Sequence, residues 1–458
     1  MPPEAMEILP NRALAAAREA REAKLAKFEA ERVARAVLVP TSDATVRENL
    51  RARGMPVCLF GEDGHDRRER LRGALAHEKL TGQERVPTGG GEVVAEVEEL
   101  RREEYLTEGG AELRKVRAEL VEMSVRKAGE RLARERGGVG RRAAREREER
   151  AVRCVRRMEV VASQVGGERP LSAICLFEAG GQRRVVTGGW GGGVRVWEGE
   201  GRCEEVQRLA LHEGRVSAVC VPREWSDVLL TAAADGCAAV SARGEEGKFA
   251  ERARLKGHRG RVGDVKMHPG RKGLVVSGGF DGEVRVWDDG REVMRQESGH
   301  EAVYRVGFHP DGGLMGSGGL EGGIRMWDLR SGRAVMTMGK AHAGGVLGLE
   351  FCADGQRVVT GGGDNVVRVW DLRAGKCEKT VAAHRGLVSA VRCGGDVVFS
   401  GSFDRSVKCW GVKRGWSLIA AVTGFEEKVT GVDCSAGGEV LVAACYDKTW
   451  KMWSGVED

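Results

Sequence analysis

Residues 257–288 read GHRGRVGDVKMHPGRKGLVVSGGFDGEVRVWD, and this stretch decides the fold. It opens on Gly-His, continues through segments in which apolar and polar residues alternate, and ends on Trp-Asp. The alternation predicts short strands, and the turn at Phe280-Asp281-Gly282 permits the left-handed backbone of a tight hairpin. We therefore expect a unit of short antiparallel strands joined by Gly-rich turns.

The same unit recurs through the second half of the chain. Its end is marked by six tryptophans separated by 90, 40, 43, 40 and 43 residues, which are Trp197, Trp287, Trp327, Trp370, Trp410 and Trp453. Ser241 occupies the Trp position inside the longest interval, which gives seven repeats. A period of about 40 to 45 residues with this pattern is typical of four-stranded propeller blades, and the repeats resemble the WD40 family. The expected fold is an all-β seven-bladed propeller.

Four repeats contain a complete set of His, Ser or Thr, an acidic turn residue and Trp. The sets are His258, Ser277, Asp281 and Trp287; His300, Ser317, Glu321 and Trp327; His342, Thr360, Asp364 and Trp370; and His384, Ser400, Asp404 and Trp410. The resemblance implies that each set forms a hydrogen-bonded network within its blade, since a buried imidazole and a buried indole N–H both need partners.

The remaining three repeats depart from this set. The second has Ser241 in place of Trp, the first has Gly191 in place of the acid, and the seventh has Phe425 and Ala443 in place of the His and the hydroxyl. We expect apolar packing to hold these blades. The seventh also lacks a fourth strand after Trp453, so the segment at 158–163 is predicted to supply it and to close the ring.

The first 157 residues have a different composition. They contain 63 of the charged residues and 14 of the 68 glycines, and all ten tryptophans follow them. Helices are predicted at about 11–36, 92–106 and 111–157. The last carries one narrow apolar stripe, composed of Leu113, Val116, Leu120, Met123 and Lys127. Such a helix has no core of its own, so it is either a solvated spacer or a binding surface, and the spacer is favoured.

A two-helix unit is predicted between these helices, in the segment Val39 to Leu75. Thr41, Ser42 or Asp43 can cap a first helix, Gly54 can end it, and Asp63 or Asp66 can start a second. The run from Gly54 to Arg72 resembles the splicing factor motif of the pre-mRNA processing factor 4 family. Its candidate partner-binding residues are Leu59, Phe60, Arg67, Arg68 and Arg70.

The order of parts also resembles that family, the WD-repeat subunit of the U4/U6 small nuclear ribonucleoprotein. Four regions are predicted: a charged N-terminal helix at 1–38, the motif at 39–80, a charged helical linker at 81–157 and the propeller at 158–458. The resemblance implies a nuclear scaffold in the U4/U6 particle and the tri-snRNP of pre-mRNA splicing. It implies pre-mRNA processing factor 3, in some organisms a cyclophilin, other tri-snRNP proteins and U4/U6 snRNA as partners.

Two other classes of protein compete with this interpretation. A WD40 adaptor, such as a ubiquitin-ligase substrate receptor, would carry a different helix pair before its propeller. A propeller enzyme would need a polar constellation that the sequence does not contain: there is no nucleophile motif, no phosphate-binding loop, and no metal-ligand spacing among the nine His and twelve Cys. We therefore expect a soluble, noncatalytic protein without cofactor or metal. No apolar run is long enough to span a membrane.

Overall fold

The computed structural model describes seven parts of the chain, and the statements below concern those parts, which are residues 39, 43–53, 55, 64–81, 107–109, 112–136 and 138–455. The chain divides into two compact units, residues 1–100 and residues 101–458. The first unit contains helix α1, Asp43–Ala52, and helix α2, Gly64–Thr81. None of the described helices is both long and apolar enough to cross a membrane.

The second unit begins with a short strand and two helices. Strand β1 spans Thr107–Gly109, helix α3 spans Leu113–Arg136 and helix α4 spans Gly138–Arg156. They are followed by strand β2, Met158–Val165, and then by 27 further strands.

These strands form seven antiparallel sheets, the blades, which are numbered here in chain order. Blade one contains β3 Leu171–Ala179, β4 Gln182–Gly189, β5 Gly193–Glu198 and β6 Glu205–Ala210; blade two contains β7 Val216–Cys220, β8 Val228–Ala233, β9 Cys237–Arg243 and β10 Phe249–Lys256. Blade three contains β11 Val262–Met267, β12 Leu274–Gly279, β13 Glu283–Asp288 and β14 Arg291–Glu297; blade four contains β15 Val303–Phe308, β16 Leu314–Gly319, β17 Ile324–Asp328 and β18 Arg333–Met338. Blade five contains β19 Val346–Phe351, β20 Arg357–Gly362, β21 Val367–Asp371 and β22 Lys376–Val381; blade six contains β23 Val388–Gly394, β24 Val397–Ser402, β25 Val407–Gly411 and β26 Ser417–Val422. Blade seven contains β27 Val429–Cys434, β28 Val440–Cys445 and β29 Thr449–Gly455, with β2 as its outermost strand.

The blades form a closed ring, which confirms the predicted fold class. The first strand of each blade contacts the first strand of the next, and β27 of blade seven contacts β3 of blade one. The fourth strand of blade seven is β2, which pairs with β29 from Met158↔Gly455 to Val165↔Thr449. The predicted closing strand is therefore confirmed, and it removes an unpaired sheet edge.

Tight packing between blades depends on small residues at the hairpin turns. Gly282, in the turn between β12 and β13, has a φ of 76°. A Cβ at this position would lie 2.6 Å from the carbonyl oxygen of His300 in the next blade. Both the backbone conformation and the close approach therefore require glycine here.

Helix α3 packs against the propeller, so the interpretation of this region as a solvated spacer was wrong. Val116 and Leu120 are buried in a core shared with blades three and four, and Leu113 and Met123 pack at its margin. The side chain of Lys127 donates to the carbonyl oxygen of Pro269 at 3.0 Å. The whole predicted stripe therefore faces the propeller, because blades three and four provide the apolar surface that the helix itself lacks.

Helix α4 continues this contact on the opposite side of the ring. Ala151 and Val155 join the core of blades six and seven beside Phe399 and Trp453. Strand β1 adds a fifth strand to the outer edge of blade three, where Thr107 pairs with Gln296 of β14. The described part of the charged linker from Thr107 onwards is thus an integral part of the second unit.

Candidate functional site

The predicted network of blade three forms one continuous chain of hydrogen bonds. The indole Nε1–H of Trp287 donates to the Ser277 hydroxyl at 2.9 Å, and this hydroxyl lies 2.8 Å from His258 Nε2. His258 Nδ1 lies 3.0 Å from the carboxylate of Asp281. A neutral imidazole that accepts at Nε2 and donates from Nδ1 satisfies every group in this chain.

The same chain occurs in blades four, five and six. His300 bonds to Glu321 and, at 3.0 Å, to Ser317, which accepts from Trp327 at 2.9 Å. His342 bonds to Asp364 at 2.9 Å and to Thr360 at 2.8 Å, and Thr360 accepts from Trp370 at 2.9 Å. His384 bonds to Asp404 at 2.9 Å and to Ser400 at 2.8 Å, and Ser400 accepts from Trp410 at 2.9 Å.

The networks determine the charge state of their members. Burial, the largest single influence, raises the pKa of Asp281, but the hydrogen bond and charge of His258 and the backbone amides of Arg259 and Glu283 together outweigh it and lower this pKa to about 2. Burial lowers the pKa of the His342 imidazole, although Asp364 acts in the opposite direction, and burial lowers the pKa of His384 in the same way. These shifts favour the neutral imidazole of His342 and His384 and the ionised carboxylate of Asp281 at neutral pH.

Blades one and two retain parts of the network. In blade two, His212 lies 2.8 Å from Thr231 and 2.9 Å from Asp235, while the hydroxyl of the fully buried Ser241 has no partner in the described structure. In blade one, Trp197 donates to Thr187 at 2.9 Å. Of the three links in the chain of hydrogen bonds, blade two therefore keeps two and blade one keeps one.

Blade seven replaces the network with an apolar contact. The ring of Phe425 lies 5.1 Å from the ring of Trp453, at an interplanar angle of 51°. Both side chains are buried, as is Ala443. Apolar packing thus holds this blade at the place where a polar chain holds blades three to six.

The Asp-His-Ser order of a network resembles a hydrolytic triad, but it cannot act as one in this position. The Ser277 side chain is 1% exposed, and Ser317, Thr360 and Ser400 are fully buried, so no substrate reaches these hydroxyls. His258, Asp281 and Glu283 also offer three possible metal ligands. Glu283, however, already pairs with Arg285 and Arg295, which opposes the binding of a further cation.

The predicted motif folds as a small unit with its own core. Val46 and Leu50 of α1 and Leu71 of α2 are fully buried against one another, and Val39, Met55 and Leu75 pack around them. Helix α1 begins at Asp43, one of its three predicted caps, and α2 begins at Gly64, directly after Asp63. The amide of Met55 donates to the Leu50 carbonyl at 3.0 Å as the chain leaves α1.

The candidate partner-binding residues are only partly within the described structure. Arg67, Arg68 and Arg70 lie on α2, where each is partly exposed, on the helix that contributes Leu71 to the core. Arg72, one position beyond Leu71, pairs with Glu69. Leu59 and Phe60 lie outside the described residues.

A second set of side chains was not singled out from the sequence. An aromatic residue precedes the acidic turn position in four repeats, at Trp190, Phe280, Phe403 and Tyr446, with Gly191 in place of the acid after Trp190. This recurrence is the sequence signal that could have identified these aromatic residues. The partners of these rings come from neighbouring blades, so they became visible only in the structure.

Comparisons with known protein families agree with this arrangement. The model of the family described as "pre-mRNA processing factor 4 (PRP4) like" matches residues 46–73, which cover most of the two-helix unit. The model of the WD domain, G-beta repeat, matches five segments of the propeller, at residues 250–288, 291–328, 332–371, 375–411 and 416–454.

Similar proteins occur in fungi, plants and mammals. An uncharacterised WD repeat-containing protein of Schizosaccharomyces pombe is 33% identical over 53% of this chain and 52% of its own length. The U4/U6 small nuclear ribonucleoprotein PRP4-like protein of Arabidopsis thaliana is 32% identical over 48% and 40%. The U4/U6 small nuclear ribonucleoprotein PRP4 of Saccharomyces cerevisiae is 28% identical over 57% and 56%. The chain spans about half the length of the curated relatives it matches, and the resemblance to the pre-mRNA processing factor 4 family is confirmed.

Proposed function

Because this chain joins a PRP4-like motif to a WD40 propeller, we propose that it is a WD-repeat subunit of the U4/U6 small nuclear ribonucleoprotein. In this role it acts in pre-mRNA splicing in the nucleus, as a noncatalytic scaffold within the U4/U6 particle and the tri-snRNP. The main support for this proposal is that the residues matched by the family model, 46–73, fold as a two-helix unit with its own core.

The composition of the two-helix unit supports a docking role. Its core uses only a few apolar residues, and the propeller is closed by β2 without any strand from the motif. Residues of α2 outside this core are therefore not needed to close the propeller. Arg67, Arg68 and Arg70 place three guanidinium groups within four residues, a chemistry suited to carboxylates and phosphates.

Partners of this subunit follow from the same proposal. The motif surface, with Leu59 and Phe60 in the segment between the helices, would bind pre-mRNA processing factor 3 or, where present, a cyclophilin. Arginine forks suit U4/U6 snRNA phosphates equally well. The scaffold role requires no catalytic group, and the buried hydroxyls of the blade networks are consistent with this.

The alternative is a WD40 adaptor of another class, such as a substrate receptor of a ubiquitin ligase. That class shares the propeller, so the propeller does not discriminate between the two functions. The motif does, since its match is to a splicing factor family. Sequencing the RNA that copurifies with the tagged protein separates the two: U4 and U6 RNA support the proposal, and their absence favours the adaptor.

A charge reversal tests the role of the motif. Arg67→Glu, Arg68→Glu and Arg70→Glu are combined in the full chain, and the recovery of U4 and U6 RNA and of pre-mRNA processing factor 3 is measured. The matched control reverses three exposed cations of blade five, Arg373, Lys376 and Lys379. We expect recovery to fall in the motif variant only, while both variants melt like the parent protein. Undiminished recovery would contradict the docking role of α2.

A further inference from the structure

The two faces of the propeller differ in what covers them. The turns between the first and second strands lie on one face, and α3 packs there: Lys127 bonds to Pro269, and Arg131 pairs with Asp311 at 2.7 Å and donates to the Asp354 carbonyl at 3.0 Å. The turns between the second and third strands lie on the opposite face. Neither of the two described helices of the second unit, α3 and α4, covers this second face. The first strands of all seven blades line the central channel of the ring.

Aromatic side chains surround the channel at this open face. They stand immediately before the acidic turn position or at the start of a first strand, and they come from blades one, three, four, six and seven: Trp190, Phe280, Tyr304, Phe403 and Tyr446. Trp190 meets Tyr446 edge-on at 5.5 Å, and Phe280 meets Tyr304 in the same way at 6.0 Å. The rings thus connect neighbouring blades.

Cations lie over the faces of these rings. The guanidinium of Arg215 is 4.2 Å from the centre of the Trp190 ring, and that of Arg261 is 4.9 Å from Phe280. Arg305 lies over Tyr304 at 4.9 Å. In addition, the ammonium of Lys428 is 5.2 Å from Phe403 and 5.6 Å from Tyr446. We call these four cations and the five aromatic residues the channel-mouth ring.

The position of the ring is fixed by a hydrogen bond that the blades share. The amides of Ala234, Phe280 and Tyr446 donate to the carbonyl oxygens of Arg215, Arg261 and Lys428, respectively, at 2.8 to 2.9 Å. Each of these three cations therefore directly precedes the first strand of a blade, beside that blade's turn. The fold itself therefore sets the backbone positions of these three cations.

The channel-mouth ring carries uncompensated positive charge. Within the described structure, no salt bridge involves Arg215, Arg261, Arg305 or Lys428. The hydrogen-bond partners of Arg261 and Arg305 are neutral: Arg261 Nε donates to the Ser217 hydroxyl at 2.9 Å, and Arg305 Nε donates to the Leu347 carbonyl at 2.7 Å. Burial lowers the pKa of Arg215, and the neighbouring Arg261 and Arg305 lower it further, so the three guanidinium groups repel one another. The nearest acidic turn residues do not relieve this repulsion.

Each of these acidic turn residues already accepts a hydrogen bond from a group of its own repeat. Asp281, next to Phe280, accepts from His258, and Asp404, next to Phe403, accepts from His384. Asp447, next to Tyr446, accepts from the amide of Thr449 at 2.8 Å. An anion from outside the chain is therefore the partner that the ring lacks.

We propose that the channel-mouth ring binds an acidic peptide segment of a protein partner. Carboxylates match the guanidinium forks, while the surrounding rings offer apolar contact to the rest of the segment. RNA fits less well, because unstacked bases need free aromatic faces and cations already occupy those of Trp190, Phe280 and Tyr304. The channel-mouth ring shares no residue with the two-helix motif, and the proposal does not depend on the proposed function.

The test uses the purified full chain and three fluorescein-labelled probes. The first is a 12-residue peptide of alternating Glu and Ser, the second has Gln in place of each Glu, and the third is a 12-nucleotide oligouridylate. Binding is measured by fluorescence anisotropy. We expect the Glu peptide to bind and the Gln peptide not to bind, and we expect Arg215→Gln combined with Arg261→Gln to weaken the Glu peptide by about tenfold or more.

Two control variants distinguish binding at the channel-mouth ring from nonspecific attraction to other basic residues of the protein. Arg373→Gln combined with Lys376→Gln removes two exposed cations from a turn on the opposite face and should leave binding unchanged. Lys428→Gln changes an exposed member of the ring, so it tests the proposal even if the double variant unfolds, and about a twofold loss is expected. Equal binding of the two peptides, or no loss in the ring variants, would overturn the proposal. If the ring variants weaken the binding of oligouridylate but not of the Glu peptide, the surface is assigned to RNA instead.

Discussion

Blades five and seven differ in how they fill the same buried position, with a hydrogen-bonded network in blade five and an apolar contact in blade seven. In blade five, Trp370, Thr360 and His342 form a chain of hydrogen bonds that leaves no buried donor without a partner. In blade seven, Phe425 packs on Trp453 and no polar chain is needed. The comparison teaches that this position tolerates either a complete network or an apolar contact, because the costly state is a partly satisfied one.

The two blades also differ in where their strands come from. Blade five is built from four consecutive strands, whereas the outermost strand of blade seven, β2, precedes blade one in the chain. Blade seven therefore depends on a contact between distant parts of the sequence. Its stability should be the more sensitive to truncation and to loss of apolar contact.

The largest effect is expected from removing β2. A chain that begins at residue 166 leaves the β29 edge unpaired, and its melting should lose cooperativity. A chain that begins at residue 158 keeps β2 but loses α3 and α4, so it should melt cooperatively at a lower temperature than the parent. Calorimetry of the three proteins decides. Equal melting of the two truncated chains would refute a closing role for β2.

A smaller effect is expected from Phe425→Ala. The ring is buried against Trp453, and its removal leaves a cavity that no hydrogen bond replaces. The free energy of unfolding should fall by about 3 to 5 kcal/mol. Denaturant unfolding measures it, with Phe425→Leu as a control that should cost less than about 1.5 kcal/mol. Similar losses for both variants would show that the ring contact itself contributes little.

The polar blade should respond less strongly to the equivalent change. His342→Ala leaves the Thr360 hydroxyl without its imidazole partner while Trp370 still donates to it, so about 1 to 3 kcal/mol should be lost. Arg385→Ala, an exposed change in the loop to the next blade, serves as the control. A loss at His342 that exceeds the loss in Phe425→Ala would reverse the ranking of the two blades.

These contrasts could be anticipated in part from the sequence. The spacing of His, hydroxyl, acid and Trp identified the blades because each set lies within one repeat, and the strand-like segment at 158–163 identified β2. Helices α1 and α2 were found from their caps and apolar positions for the same reason: the signals are local.

What the sequence did not reveal depends on distant residues. The stripe of α3 was visible, but its docking surface combines residues such as Leu274 and Met315 from two blades, and no periodicity connects them. Strand β1 has three residues, too few for an alternation signal. The channel-mouth ring needs Arg215 over Trp190, a pairing between different repeats.

Lowering the pH should destabilise the protein through His268, a buried imidazole that is not paired with a carboxylate. Among the described residues, the His268 imidazole hydrogen-bonds only to backbone groups: Nε2 donates to the Gly312 carbonyl at 2.9 Å, and Nδ1 accepts from the Gly270 amide at 3.0 Å. Burial lowers its pKa to about 4, and Lys127 and Arg271 contribute in the same direction against the Gly312 carbonyl. The unfolded imidazole therefore takes up a proton at a higher pH than the folded one.

Because the pKa of His268 is lower in the folded than in the unfolded protein, the free energy of unfolding decreases as the pH falls. The stabilisation is complete above an unfolded pKa of about 6.5 and is lost as the pH falls towards 4, which amounts to about 2 kcal/mol at pH 5. His268→Gln should remove this part of the loss between pH 7 and pH 5, as measured by denaturant unfolding at both values. An unchanged pH dependence would mean that His268 is protonated in the folded protein.

The smallest effect is expected from installing a network in blade seven. Phe425→His alone loses the ring contact with Trp453 and gains no hydroxyl partner, because Ala443 occupies that position. Adding Ala443→Ser supplies the hydroxyl, and Asp447 stands at the acidic turn position of the blade. The double variant should therefore be more stable than Phe425→His by about 1 kcal/mol and close to Ala443→Ser. A double-mutant cycle in denaturant measures this coupling. A coupling near zero would show that a network needs the backbone geometry of blades three to six, and that the two ways of filling this position are not interchangeable.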